Sequence, residues 1–255
     1  MTLVLAIKAT DGVVLASDSQ ATSGAETVRT RGAARKLDDL HGSIAFGCSG
    51  DSGLRQRVVS ELRARLTELD CAAPLEELRP RIRDIINPIQ QQARAEHVPL
   101  DGTEPACLAT LFAAVTGGRP WIYEVSADGK DEEHDPAEAI GVSRHYAIHG
   151  MLYNQHLGLD KRPMQQVRLA AYRIVMSAIA VDGTGNIGIP VQIYEVRANG
   201  VQIVSDEELK VIHLTLNGLK EQEGDLWRDF WREPDADASD LAEELVGGIQ
   251  IEKSD

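Results

Sequence analysis

Two strand-like runs joined by a tight turn open this chain, and strands and helices then alternate to near residue 205. The run Leu3–Ala9 is followed by Asp11-Gly12, a hairpin signal, and by a returning strand over Val13–Asp18. Ser43–Cys48 reads as another short strand, ending at Cys48-Ser49-Gly50. Apolar residues then recur at helical spacing (Leu54, Val58, Leu62, Leu66, Leu69), which predicts a helix over 51–69. A second helix is expected from Leu75 to Glu96–His97, interrupted near Pro88. Strands return at Leu108–Val115 and Trp121–Ser126 around a Gly117-Gly118 turn, and Asp128–Glu138 reads as an acidic loop. Helices are expected over His145–His156 and Pro163–Ala180. Strands Val191–Val196 and Val201–Ser205, joined by Asn199-Gly200, close the series.

The order is strands, two helices, strands, two helices, strands. It lets two sheets share an apolar interface, with a helix pair over each outer face. The expected fold class is therefore α+β, a four-layer αββα sandwich formed by residues 1–205 as one domain. Residues 206–255 are helix-prone and acidic. They read as a C-terminal extension, helical through Leu219 and polar after Pro234. Within it Trp227, Phe230 and Trp231 share one helical face, which suits either packing on the domain or docking of a neighbouring subunit.

Composition narrows the function classes. There is no run of about 18 apolar residues to cross a membrane. No basic segment followed by an apolar stretch marks a secretory signal. Cys48, Cys71 and Cys107 are too few and too scattered for a disulfide framework, and a reduced cytoplasm is the expected location. A net charge of −14 argues against nucleic acid or an anionic membrane as the main partner. His145 and His149 are spaced as a metal pair, but no zincin-type glutamate accompanies them. The acidic run Asp131–Asp135 lacks the spacing of a calcium loop. Neither a metal nor an organic cofactor is expected.

The chemistry begins at Thr2. With Met1 removed, a threonine would combine a nucleophilic hydroxyl and a base on one residue. An α-amine has an ordinary pKa of roughly 7.7–8.0, suited to taking the hydroxyl proton near neutral pH. Such a nucleophile needs a cation near the hydroxyl, a carboxylate to hold that cation, and a backbone N–H for the developing oxyanion. Lys36, Asp18 and Gly50 offer these in turn. Pairing of the first two strands would bring Asp18 alongside Thr2. Cys48, two residues before Gly50, reads by its own chemistry as a buried small hydrophobe.

Taken together, Thr2, Ile7-Lys8, the run Asp11 to Asp18, Ala21-Thr22, Lys36-Leu37 and Ser49-Gly50 resemble the proteasome β-subunit family of N-terminal-nucleophile hydrolases. The chain looks most like the bacterial proteasome-like branches, the heat-shock-locus peptidase and the ancestral β-subunit group. Ala139-Ile140-Gly141 and Ile187-Gly188-Ile189-Pro190 support that placing. The resemblance implies a proteasome-type domain over 1–205 in which Thr2 is nucleophile, Lys36 tunes its hydroxyl, Asp18 pairs with Lys36 and Gly50 lines the oxyanion hole. The resemblance equally implies a place for Cys48 in the floor of a specificity pocket for a small or apolar side chain, which Asp38 and Gln56 would complicate. The segment from Asp18 to Lys36 is slightly longer than in the family, with the extra length expected in Ser23–Thr30. The family's serine near the threonine amine has Val142 at the matching position here, so Ser143 is the candidate. Asp182 and Thr184 are candidates for a further aspartate and hydroxyl pair. The resemblance also implies a self-compartmentalising homo-oligomer, ring or ring-like, acting on peptides or unfolded proteins, with an ATP-driven unfoldase as a further partner. The alternative is a non-catalytic structural or binding subunit with the same fold.

Overall fold

The computed structural model describes residues 2–23, 30–96, 106–153 and 158–230. These fall into two compact units, Met1–Ile212 and His213–Asp255.

In the first unit β1 (Leu3–Ala9) and β2 (Gly12–Asp18) form the hairpin the turn signal predicts, with Val4 opposite Ser17 and Ala9 opposite Gly12. Every residue of both strands is buried, because the hairpin lies at the centre of a sheet covered on both faces. β3 (Gln20–Ser23) and β4 (Thr30–Ala33) make a small separate ribbon. The second sheet starts with β5 (Leu37–Leu40) and β6 (Ile44–Gly50).

Three helices follow: α1 (Ser52–Arg65), α2 (Glu68–Cys71) and α3 (Leu75–Ala95). Asp51 caps α1 by accepting the Leu54 N–H at 2.8 Å. Then come β7 (Leu108–Thr116), β8 (Arg119–Val125), β9 (Asp131–His134) and β10 (Ala137–Gly141). α4 (Arg144–Tyr153), α5 (Met164–Val181), β11 (Val191–Arg197) and β12 (Gly200–Ile203) lead to α6 (Asp206–Phe230).

The first sheet has the order β10-β1-β2-β11-β12, the second β5-β6-β7-β8-β9, and both are antiparallel. α5 packs across β1, β2 and β11, with α4 beside it, while α1 and α3 cover the second sheet. This is the four-layer α+β sandwich expected from the element order. Between the sheets lie Val4, Leu15, Ala45, Leu111, Ile122 and Ile140. A Cβ on Gly47 would sit 2.7 Å from Val4 and 2.9 Å from Leu37, so a glycine there lets the two sheets approach. On the helix side of the second sheet Phe46 and Phe112 stack at 5.4 Å within a cluster that includes Leu62, Leu78 and Ile86. Truncating one of these aromatics would cost roughly 3–5 kcal/mol in transfer and cavity terms.

Three expectations are corrected. α3 is continuous through Pro80 and Pro88. Its buried stripe of Leu78, Ile82, Ile85 and Ile89 holds it on the core despite a penalty of about 3 kcal/mol for an interior proline. The acidic stretch expected as a loop instead contributes one edge strand to each sheet, β9 pairing with β8 and β10 with β1. Edge strands tolerate charge because one flank meets solvent, and tertiary pairing overrides weak strand propensity. Finally, α6 runs past Leu219. It starts at a capping box in which Ser205 N–H donates to Glu208 at 2.9 Å and Ser205 Oγ accepts the Glu208 N–H at 3.3 Å.

In the second unit the described residues are helical through Phe230, and Trp227 is 58% exposed. Trp231, the tail after Pro234, His156 and the segment 24–29 lie outside the described residues. No helix among the described residues is long and apolar enough to cross a membrane.

Candidate active site

The β1–β2 hairpin sets the site. Its antiparallel register ends with Val4 opposite Ser17, so Asp18 lies beside the start of β1. The Leu3 N–H, one residue beyond Thr2, donates to Asp18 Oδ1 at 2.9 Å. Lys36 immediately precedes β5 in the other sheet, and its Nζ is 2.8 Å from both Asp18 oxygens. Oδ2 also accepts the Gln20 N–H at 3.0 Å and the Gly188 N–H at 3.2 Å. One carboxylate therefore ties together the start of β1, the end of β2, the lead into β5 and the approach to β11.

Both charges are sequestered, Asp18 fully and Lys36 at 5% exposure. Burial pulls the Lys36 ammonium below the usual lysine range; Asp18 opposes that shift and Arg55 adds to it. The Lys36 backbone is fixed as well. Its N–H donates to Gln192 Oε1 at 3.0 Å, and Gln192 Nε2 donates to the Ala34 carbonyl at 2.7 Å.

Thr2 is buried, and its carbonyl packs against Gly141. Gly141 ends β10 opposite Leu3 at φ +107, where a Cβ would lie 1.9 Å from the Thr2 carbonyl oxygen and 3.0 Å from Ser49 Oγ. Thr2, just ahead of β1, thus meets Gly141 of β10 and Ser49 of β6. Gly50 follows Ser49 at φ +137, with a Cβ position 2.0 Å from the Cys107 carbonyl. That conformation and that contact leave glycine as the residue that fits.

Gly141→Ala is accordingly expected to displace Thr2 and unsettle the β1–β10 pairing. Calorimetry should show a melting temperature lower by several degrees, and any Thr2-dependent activity should fall about a hundredfold, since an ångström of misplacement has that effect.

The turn after Gly141 points its two following residues in different directions. Val142 is 58% exposed, whereas Ser143 is buried, its carbonyl accepting the Tyr146 N–H at 3.1 Å at the start of α4. Asp182 and Thr184 lie on the loop after α5. The Asp182 carboxylate accepts the Thr184 N–H at 3.3 Å and Oγ1 at 2.5 Å, the Asn186 N–H at 2.7 Å and the Ile187 N–H at 3.1 Å. Burial pushes this carboxyl up, but those hydrogen bonds outweigh it and hold the group below the usual carboxylate range. Asp182 and Thr184 order the loop whose next residue, Gly188, donates to Asp18. Their link to the Asp18–Lys36 pair runs through backbone.

Cys48 belongs to the helix-side core, with its Sγ 3.7 Å from Thr110 Oγ1, and burial pushes its thiol up to about 12. It is a small buried hydrophobe. Sequence reasoning missed Ser49 and Gln192 as site residues, and noted Gly141 and Gly188 without giving them a role. A polar Gln192 alternating with apolar neighbours in β11 was the one available signal. The Gly188–Asp18 contact spans too much sequence to leave any.

The sequence profile of the proteasome subunit family matches residues 2–193. No curated protein matches the chain. Among solved structures, Anbu (ancestral β-subunit) from Yersinia bercovieri is similar with a TM-score of 0.69 at 16% identity, over 91% of this chain and 97% of that one. The helical assembly of the Anbu complex from Pseudomonas aeruginosa gives a TM-score of 0.68 at 16% identity, over 92% and 98%. The Anbu (Gly-1) mutant from Hyphomicrobium sp. strain MC1 gives 0.66 at 15%, over 89% and 100%. At these identities the likeness is one of fold.

Proposed function

As the chain belongs to the proteasome subunit family, we propose that it is a threonine-type peptidase that uses Thr2 after removal of Met1. The observation that carries this reading is the buried Lys36–Asp18 pair, anchored by a 2.9 Å hydrogen bond to the residue next to Thr2. A buried ion pair is weak evidence for stability, since desolvation offsets much of its attraction. Its position beside a buried threonine makes functional sense of it.

In this mechanism the α-amine takes the Thr2 hydroxyl proton as Oγ1 attacks the carbonyl of a peptide bond. The buried Lys36 cation favours the alkoxide-like oxygen, and the Gly50 N–H stabilises the tetrahedral oxyanion. Collapse breaks the C–N bond. The leaving amine takes the proton from the α-ammonium, and an ester remains on Thr2. Water, deprotonated by the same amine, attacks that ester, and expulsion of Oγ1 restores the hydroxyl. The buried Ser143 is assigned the family's serine role toward the amine, while Asp182 and Thr184 keep the Gly188 N–H on Asp18. No step requires a metal or an organic cofactor.

The substrates are peptides or unfolded polypeptides, and the working form is a cytoplasmic homo-oligomer, ring-like or helical, fed by an ATP-dependent unfoldase. Exposed apolar side chains along α6, with Val211 64%, Leu214 69% and Leu226 71% exposed, are consistent with surface reserved for assembly. A second reading, a non-catalytic subunit of the same fold, draws on one observation: an exposed valine at position 142, where the resemblance leads one to expect serine.

The deciding experiment is intact mass and N-terminal sequencing after incubation with a peptide epoxyketone or β-lactone. Loss of Met1 and one covalent adduct on Thr2 is the expected result. A retained Met1 with no adduct would replace the peptidase reading with the structural one.

A further inference from the structure

β9 and β10 are the edge strands of opposite sheets, and Asp135-Pro136 joins them. Where they meet, three ionisable side chains lie on faces that elsewhere carry the apolar inter-sheet core. His134 is opposite Ile122 in the β8–β9 register, Glu124 is two residues along β8 from Ile122, and Glu138 is two residues before Ile140 on β10. All three side chains are largely enclosed yet touched by solvent, at 14%, 15% and 21% exposure for Glu124, His134 and Glu138.

His134 Nε2 lies 3.2 Å from Glu124 Oε2, and Nδ1 lies 3.1 Å from Glu138 Oε2. The second oxygen of Glu138 is held by the Ala139 N–H at 2.7 Å, which fixes the direction of the first. Charge does not balance here. Among the described residues no lysine or arginine pairs with Glu124 or Glu138, and Lys8, at the neighbouring strand junction, is engaged by Asp135. Glu132 adds a third carboxylate on the same face of β9 as His134. One imidazole faces an excess of negative charge among partly enclosed side chains, a field that favours a cation.

We propose that Glu124, His134 and Glu138 bind a divalent transition-metal ion of the zinc class. One nitrogen of His134 and one oxygen of each glutamate form the protein ligands, and water completes the shell. One ligand atom from each residue can be chosen so that all lie within 4.8 Å of one another. The donors of a tetrahedral site with metal–ligand bonds of about 2.1 Å lie roughly 3.4 Å apart, so binding draws the three ligands closer, and one glutamate exchanges its contact with the other imidazole nitrogen for the ion. The donor set selects the class: imidazole with carboxylates suits zinc or its first-row neighbours, whereas calcium and magnesium prefer oxygen alone. Binding releases any proton on His134 to solvent and links the free edges of the two sheets. β10 then runs directly from Glu138 to Gly141, which packs on Thr2.

The test is titration of the full-length, chelator-stripped protein with zinc chloride by calorimetry, with bound metal counted by elemental analysis. One ion per chain should bind saturably. Glu138→Gln, which keeps the side-chain shape, and His134→Asn should each weaken binding about tenfold or more, while Cys107→Ser, a control for the exposed thiol, should leave it unchanged. No saturable binding by the wild-type chain would overturn the proposal and leave the cluster as a histidine held between two carboxylates. Binding that survives a Glu124→Gln/Glu138→Gln double substitution would overturn it equally. None of these readouts depends on the activity of Thr2.

Discussion

Thr2→Ala is expected to reduce peptide hydrolysis by roughly 10⁴-fold or more and to abolish labelling by an epoxyketone, while the fold persists. Removing a covalent nucleophile typically leaves only the residual rate that binding and the oxyanion hole provide. Thr2→Ser keeps both the hydroxyl and the α-amine, so it should retain label and lose less than about a hundredfold in kcat/KM. The contrast matters because Thr2 is buried, with its carbonyl against Gly141, and a general disturbance of that packing would affect both variants alike. Steady-state kinetics on a fluorogenic peptide, with calorimetry on each variant, separates the two causes. Hydrolysis surviving in Thr2→Ala would sink the assignment.

Lys36→Met should lower kcat by about 10²–10³, the scale on which removing one electrostatic stabiliser acts. It should also destabilise the protein by roughly 3–5 kcal/mol, because it leaves the fully buried Asp18 carboxylate without its counter-charge. Three backbone N–H groups still reach Asp18, which places the expected cost at the lower end of that range. Adding Asp18→Asn to Lys36→Met removes the stranded charge. The double variant should therefore melt higher than Lys36→Met alone yet remain as inactive, a non-additivity expected of two groups in direct contact. If the double variant regained activity along with stability, Lys36 would be a structural residue and the proposed mechanism would fail at that step.

Much of the site was legible because its first half is local. A tight turn at Asp11-Gly12 fixes the register of two adjacent strands, and that register alone brings Asp18 beside the residue after Thr2. The helices were legible from their apolar spacing, and α3 outlasts its two prolines because that same spacing buries a full stripe. β9 and β10 were not legible. β9 is acidic and β10 is a five-residue run with one glutamate, and they become strands because β8 and β1 each offer an edge to pair with. Ser49 carries no local signal and Gln192 only its polar place between apolar neighbours in β11; each matters through a partner far away in the chain.

The sequence by itself determined the order of elements, the first hairpin and hence the Thr2–Asp18 proximity, all of which follow from short-range periodicity and turn chemistry. Only the tertiary structure decided that Lys36 crosses between sheets to Asp18, that Gly141 and Gly188 deliver their backbone to the same corner, and that Glu124, His134 and Glu138 meet at an edge. Those contacts depend on how two sheets stack and where their edges end, and that stacking is set by side-chain packing summed over the whole core.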